Sequence, residues 1–145
     1  WFYISRFDDG KVGTIACMGN PAIWWLSMIT AIYTLTYTII TRNKEGAILI
    51  VMIAITWFTY ALIGRIMFIY HYFITLPFMM LTIPFAVSKL AEWKPKIDYI
   101  MPVLTLIFLG TFIYFYPIYS GKPVSIEYVK KTEWFDSWNY DGLGD

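Results

Sequence analysis

The chain has 145 residues, of which 59% are hydrophobic, 21% aromatic and only 14% charged, with a net charge of +1. Soluble domains carry roughly 25% charged residues, and so even a balance gives no electrostatic basis for binding nucleic acid. Charge is also missing from four whole windows, Val12–Thr41, Gly46–Gly64, Ile66–Ser88 and Tyr99–Gly121, of 30, 19, 23 and 23 residues. A helix of about 20 apolar residues crosses a hydrocarbon core. Helices apolar on every face belong in lipid rather than in a compact soluble bundle, so the composition predicts a multi-pass membrane protein.

The chain opens at Trp1 with no Met, no basic n-region and no signal-like stretch, as expected of a chain cut from a longer protein or lacking its start. Two strand-like runs, Trp1 to Phe7 and Lys11 to Met18, flank Asp8-Asp9-Gly10, which has the turn chemistry of a β-hairpin. Asp8 and Asp9 could be read as a catalytic pair, but acids directly before Gly are far more often turn residues. The single Cys17 excludes an internal disulfide, and with no Cys/His cluster no zinc or other metal site is expected.

Pro21 begins the first span, predicted over 21–41. Asn20 before it is a good N-cap, and a first-turn Pro loses no needed hydrogen bond. Ser27, Thr30, Thr34, Tyr37 and Thr41 recur along this span at spacings of three and four and so share a face. They line either a polar pathway or, as we favour, a helix-packing seam. The second span, predicted over 47–64, carries Ala47, Ala54 and Ala61 at heptad spacing, a stripe that would let backbones approach closely.

The third span, predicted over 66–87, follows Arg65 and contains His71, the only histidine of the chain. Six residues turn a helix by about 600°, so His71 does not share the face of Arg65, whereas Tyr72 does. Arg65 is either a snorkelling interfacial anchor or an anion contact. His71 is either an interhelical hydrogen-bonding group or part of a pocket. Pro77 and Pro84 should bend the lower half of this span. The fourth span is predicted over 99–119. Beyond it, the tail from Ser120 mixes Tyr128, Trp134, Phe135 and Trp138 with charged neighbours, which suits a short interfacial helix near 125–138.

The expected fold class is therefore all-α and integral to the membrane. Its segments are a lead-in hairpin over 1–20, four transmembrane helices over 21–119 and an aromatic tail over 120–145. The two short loops on one side carry Arg42, Lys44, Lys89, Lys94 and Lys96, so the positive-inside rule makes them cytoplasmic and both termini extracytoplasmic. The first and third helices then begin at the outer surface. Their partly positive N-terminal amides, with the Arg65 guanidinium, would welcome a phosphate at headgroup level. No carboxylate lies inside any span, which weakens a proton pump or cation carrier.

Four segments occur in order: Gly19-Asn20-Pro21-Ala22-Ile23-Trp24-Trp25, Arg65-Ile66-Met67-Phe68-Ile69-Tyr70-His71-Tyr72-Phe73, Tyr119-Ser120-Gly121-Lys122-Pro123-Val124 and Trp134-Phe135-Asp136-Ser137-Trp138. This pattern resembles the C-terminal four-helix membrane domain of the protein O-mannosyltransferases, with Ile74 departing where many members have Pro. The resemblance implies a fragment of a glycosyltransferase that moves mannose, with inversion, from a polyprenyl-phosphate donor to Ser or Thr hydroxyls of secretory proteins, without a cofactor. It also implies that an Asp-Glu pair in an N-terminal membrane half missing here supplies the catalytic acid/base, leaving no catalytic residue in this chain and little activity for it alone. The implied lipid-phosphate contacts are Arg65, His71, Tyr72 and Asn20. Two alternatives stand beside this reading: a polyprenyl-phosphate-sugar transferase with another sugar or acceptor, such as lipid A or a wall polymer, and a non-enzymatic membrane scaffold. The setting is a bacterial or archaeal plasma membrane, or the endoplasmic reticulum of a eukaryote.

Overall fold

A computed structural model describes residues 2–7, 10–64, 69–135 and 138 of the chain. Asp8, Asp9 and Arg65, singled out above, lie outside the described residues. In chain order the elements are strands β1 (Phe2–Arg6) and β2 (Lys11–Ala16), then helices α1 (Pro21–Thr41), α2 (Lys44–Ala61), α3 (Ile69–Tyr72) and α4 (Leu76–Ala91). A 3-10 turn (Pro95–Tyr99), α5 (Ile100–Ser120), the two-residue β3 (Val124–Ser125) and α6 (Ile126–Thr132) follow. Two compact units divide the chain: Pro21–Phe108, and Trp1–Asn20 together with Leu109–Asp145.

In the helical unit, α1 packs most extensively on α4. Ser27, Thr30 and Thr34 turn inward from α1, and Met79, Thr82, Ile83, Phe85, Ala86 and Val87 are buried on α4. The seam is polar at its centre: the Thr30 and Thr82 hydroxyls hydrogen-bond at 2.7 Å, and Thr82 donates to the Met79 carbonyl at 2.6 Å. The hydroxyl stripe of the first span is thus a packing seam through its first three members. Tyr37 meets Phe85 edge-on, 6.1 Å between centroids, and Thr41 is exposed and donates to its own helix at the Tyr37 carbonyl.

The second and third spans differ from the sequence expectation, α2 ending at Ala61 rather than 64 and α4 running on to Ala91 rather than 87. The second helix begins at Lys44 rather than 47, because the Asn43 side chain caps it by accepting from the Gly46 amide at 2.8 Å. Arg42, with φ +53°, turns the chain sharply out of α1 just before that cap. A close approach is made at buried Gly46, where a Cβ would strike Thr38 Oγ1 and lie 3.0 Å from Phe85 Cζ. The third span is not one helix. After Tyr72 the helix gives way to a turn and restarts at Leu76, with Pro77 in the first turn of α4. Proline lacks an N–H and clashes with the carbonyl four residues back, so Pro77 starts a helix here rather than bending one.

Among the described residues, Pro21–Thr41 and Pro95–Ser120 are long and apolar enough to cross a membrane, and Leu76–Ala91 is apolar but shorter.

In the other unit, β1 and β2 form the expected antiparallel hairpin, with Tyr3 opposite Ile15 and Ser5 opposite Gly13. An unexpected third strand joins it, Val124 opposite Val12 and Ser125 opposite Lys11. Gly121, at φ +73°, ends α5 and brings its carbonyl so close to Gly13 that a Cβ there would lie 2.7 Å from it. The core comprises Ala16, Ile118 and Val129, with Met18, Val124, Tyr128 and Trp138 around it. Fully buried Phe115 meets Trp134 edge-on at 4.9 Å and Trp138 at 6.4 Å. The tail helix is only seven residues long: Ser125 caps it by accepting from the Tyr128 amide, and it ends at Thr132.

Candidate functional site

The informative geometry lies where α3 stops and α4 begins. His71 and Tyr72 are consecutive on α3, and successive helical residues diverge by about 100°. Tyr72 turns to α1, where its ring stacks on Trp24 at 5.0 Å between centroids and 28° between planes. His71 turns to α2, its ring edge-on to Tyr60 at 5.5 Å and 68°. The four-residue helix is thereby held between two neighbours by aromatic contacts, each worth about 0.5–1.5 kcal/mol beyond its buried area.

The Tyr72 hydroxyl donates to Met79 Sδ on α4. Thioether sulfur is a weak acceptor, so this phenol has a donor held by a partner that an anionic oxygen would readily displace. One turn on, Thr75 is 1% exposed, and its Oγ1 has no hydrogen-bond partner among the described residues. A buried hydroxyl left so costs about 1–3 kcal/mol. Asn20 stands directly before α1 and closes the other unit. Trp24, Tyr60, Thr75 and Met79 received no role from the sequence.

Among the described residues no cluster of His, Cys, Asp and Glu could hold a metal ion. The chemistry these residues offer is hydrogen-bond donation and aromatic contact.

The model of the C-terminal four-transmembrane region of protein O-mannosyltransferases matches residues 4–138. The chain belongs to that family. The family is a membrane region, and among the described residues two helices are long and apolar enough to cross a bilayer. Two curated relatives, from Mycolicibacterium smegmatis strains ATCC 700084 / mc(2)155 and MKD8, carry the name polyprenol-phosphate-mannose–protein mannosyltransferase. Each is 27% identical over 138 residues, covering 88% of this chain and 26% of the relative. The chain thus spans about a quarter of the length of these relatives. No solved structure matches it significantly.

Proposed function

We propose that this chain is the C-terminal membrane part of a glycosyltransferase that moves mannose from a polyprenyl-phosphate donor to Ser or Thr hydroxyls of secretory proteins. Its own contribution is the lipid-phosphate side of the pocket, and the N-terminal membrane half of the same enzyme supplies the catalytic carboxylate. Four crossings, with the Arg42–Gly46 and Ser88–Asp98 segments cytoplasmic and both termini extracytoplasmic, set the start of the third span at the outer headgroup level.

The observation that carries this reading is the Tyr72 hydroxyl resting on the Met79 sulfur in a family whose relatives are named for a polyprenol-phosphate-mannose donor. Attack on the anomeric carbon makes the lipid phosphate the leaving group, and negative charge grows on its bridging oxygen. Donors aimed at that oxygen lower the barrier. Tyr72 exchanges sulfur for phosphate oxygen, the Arg65 guanidinium adds a charge-assisted contact, His71 shapes the wall, and Asn20 holds the outer start of α1. Deprotonation of the acceptor hydroxyl needs a carboxylate base within reach, which is assigned to the other half of the enzyme.

The test is transfer by the complete enzyme carrying Arg65→Ala. A loss of a hundredfold or more in kcat/KM supports the phosphate contact, and unchanged transfer removes Arg65 from the mechanism. Offering polyprenyl-phosphate donors of other sugars in the same assay separates a mannose enzyme from a transferase of another sugar. Absence of any transfer by the complete protein would favour the scaffold.

A further inference from the structure

Tyr72 closes a helix of four residues, Ile69–Tyr72, and the helix breaks directly after it. A helix this short has almost no stability of its own, so its neighbours set the direction of the Tyr72 side chain. Two of them do so from different helices. Trp24 of α1 covers the ring face, 5.0 Å between centroids and 28° between planes, and Met79 of α4 takes the hydroxyl. A phenol O–H is conjugated with its ring and stays near the ring plane. Fixing the plane therefore fixes the directions along which the hydroxyl can donate, and Trp24 is the residue stacked on that plane.

Both groups that grip Tyr72 are seated on the same buried seam. The Ser27 hydroxyl, one turn along α1, donates to the Trp24 carbonyl at 2.9 Å. The Thr82 hydroxyl, one turn along α4, donates to the Met79 carbonyl at 2.6 Å. Across the seam Thr82 Oγ1 lies 3.4 Å from the Ser27 carbonyl and 2.7 Å from Thr30 Oγ1, and Ser27 and Thr82 are fully buried. Trp24 and Met79 thus each stand one turn before the point where α1 and α4 are tied together. The register of those two helices sets the ring partner and the hydroxyl partner of one tyrosine at once.

We propose that Trp24 is a positioning residue for the lipid-donor site. By stacking on Tyr72 it holds the phenol plane so that the hydroxyl, on leaving the Met79 sulfur, points at the phosphate of the polyprenyl-phosphate donor. This rests on the reading above, in which Tyr72 is a phosphate contact. Trp24 touches no reacting atom and acts only through Tyr72. A donor aimed before charge develops lowers the barrier without reorganising during the reaction, and support from packed helices keeps that aim. Indole suits the task because it is wide, flat and a hydrogen-bond donor only. It cannot take the phenolic hydrogen that the phosphate needs.

The test is a double-mutant cycle in the complete enzyme, with separate KM values for polyprenyl-phosphate mannose and for a Ser/Thr acceptor peptide. Trp24→Leu, which removes the flat ring, should raise the donor KM about threefold to tenfold and leave the acceptor KM within about twofold. Trp24→Phe, which restores a stacking ring, should return the donor KM to within about twofold of the parent. In the Tyr72→Phe background Trp24→Leu should add nothing, because the group it aims is already gone. A general loss of packing would instead raise both KM values, and would do so in either background. That outcome, or a donor KM unmoved by Trp24→Leu, rejects the positioning role alone. A donor KM unmoved by Tyr72→Phe rejects the phosphate contact itself, and the positioning role goes with it. If Trp24→Leu does not fold, Trp24→Met, whose unbranched chain fills irregular gaps, takes its place in the cycle. Loss of folding in both would make Trp24 a structural residue and overturn the proposal.

Discussion

The ring of Tyr72 lies on the ring of Trp24, 5.0 Å away, while the hydroxyl of the same residue reaches Met79 on another helix. Ring and hydroxyl thus have separate jobs, and substitutions can separate them. Tyr72→Phe keeps the stack and loses the donor. Tyr72→Leu loses both. In the complete enzyme, Tyr72→Phe should raise the KM for the lipid donor by about threefold to tenfold with thermal stability nearly unchanged, since a hydrogen bond to sulfur is weak. Tyr72→Leu should in addition lower stability by about 1 kcal/mol for the lost aromatic pair. A donor KM indifferent to Tyr72→Phe would leave the ring as a packing element only.

The Thr30–Thr82 pair links α1 to α4, so removing either hydroxyl takes from the other its cross-helix partner. Both side chains are buried, at 8% and 0% exposure, and their hydroxyls share a 2.7 Å bond. Interhelical hydrogen bonds in membranes average about 0.6 kcal/mol and reach about 1.7. Thr30→Val should cost about 1 kcal/mol, and Thr82→Val a similar amount. The double variant should cost less than the sum, because no hydroxyl is then left without its cross-helix partner. A double-mutant cycle on unfolding in detergent measures the coupling, and strict additivity would show that the contact contributes nothing.

At Gly46 the argument is steric. A Cβ there meets Thr38 Oγ1 and approaches Phe85 Cζ at 3.0 Å, so Gly46→Ala should destabilise the helical unit by about 1–3 kcal/mol despite the better helix propensity of Ala. Thr38 Oγ1 is itself buried without a partner, so its removal costs little. Thr38→Ala introduced with Gly46→Ala should restore most of the loss, as read by thermal unfolding. Failure of that rescue would place the strain at Phe85.

The tail responds to pH through one exposed pair. Lys131 Nζ donates to Glu127 Oε1 at 2.7 Å. This hydrogen bond and the attached charge hold the Glu127 carboxyl below its ordinary 4.5 and the Lys131 amine above its ordinary 10.5. A depressed carboxyl stabilises the fold above its unfolded value and loses that contribution as pH falls through the folded one. A raised amine does so below its unfolded value and loses it as pH rises through the folded one. The pair therefore supports α6 fully between about pH 4.5 and 10.5, weakly because both groups are exposed, and less at high salt. Glu127→Gln should flatten the acid limb of α6 stability, followed through the fluorescence of Trp134. An unchanged limb would show the pair to be inert.

Much of the architecture was written locally. The first helix occupies 21–41 as read from Asn20-Pro21 and the charge-free window, and α5 lies within one residue of the bounds expected for the fourth span. The hairpin followed from two strand-like runs around Asp8-Asp9-Gly10. Elsewhere a charge-free window was a poor guide to helix ends, for a physical reason. Absence of charge marks what can lie in hydrocarbon, whereas a helix starts where its first amides find an acceptor. Asn43 supplies one, so α2 includes Lys44 and Glu45. Pro77 has no N–H to donate and its ring crowds the carbonyl four residues back, so the third span breaks at 73–75 although nothing in its hydropathy marks the place.

The site divides along the same line. Sequence alone determined the membrane class, the family resemblance and the divergence of His71 from Tyr72, because composition and helical rotation are properties of a single segment. Only the tertiary structure decided that Tyr72 meets Trp24 and Met79 while His71 meets Tyr60. It alone also added Val124–Ser125 to the sheet, beside Lys11 and Val12. Those outcomes depend on pairing residues up to about 110 positions apart, and no local periodicity encodes which distant backbone will arrive.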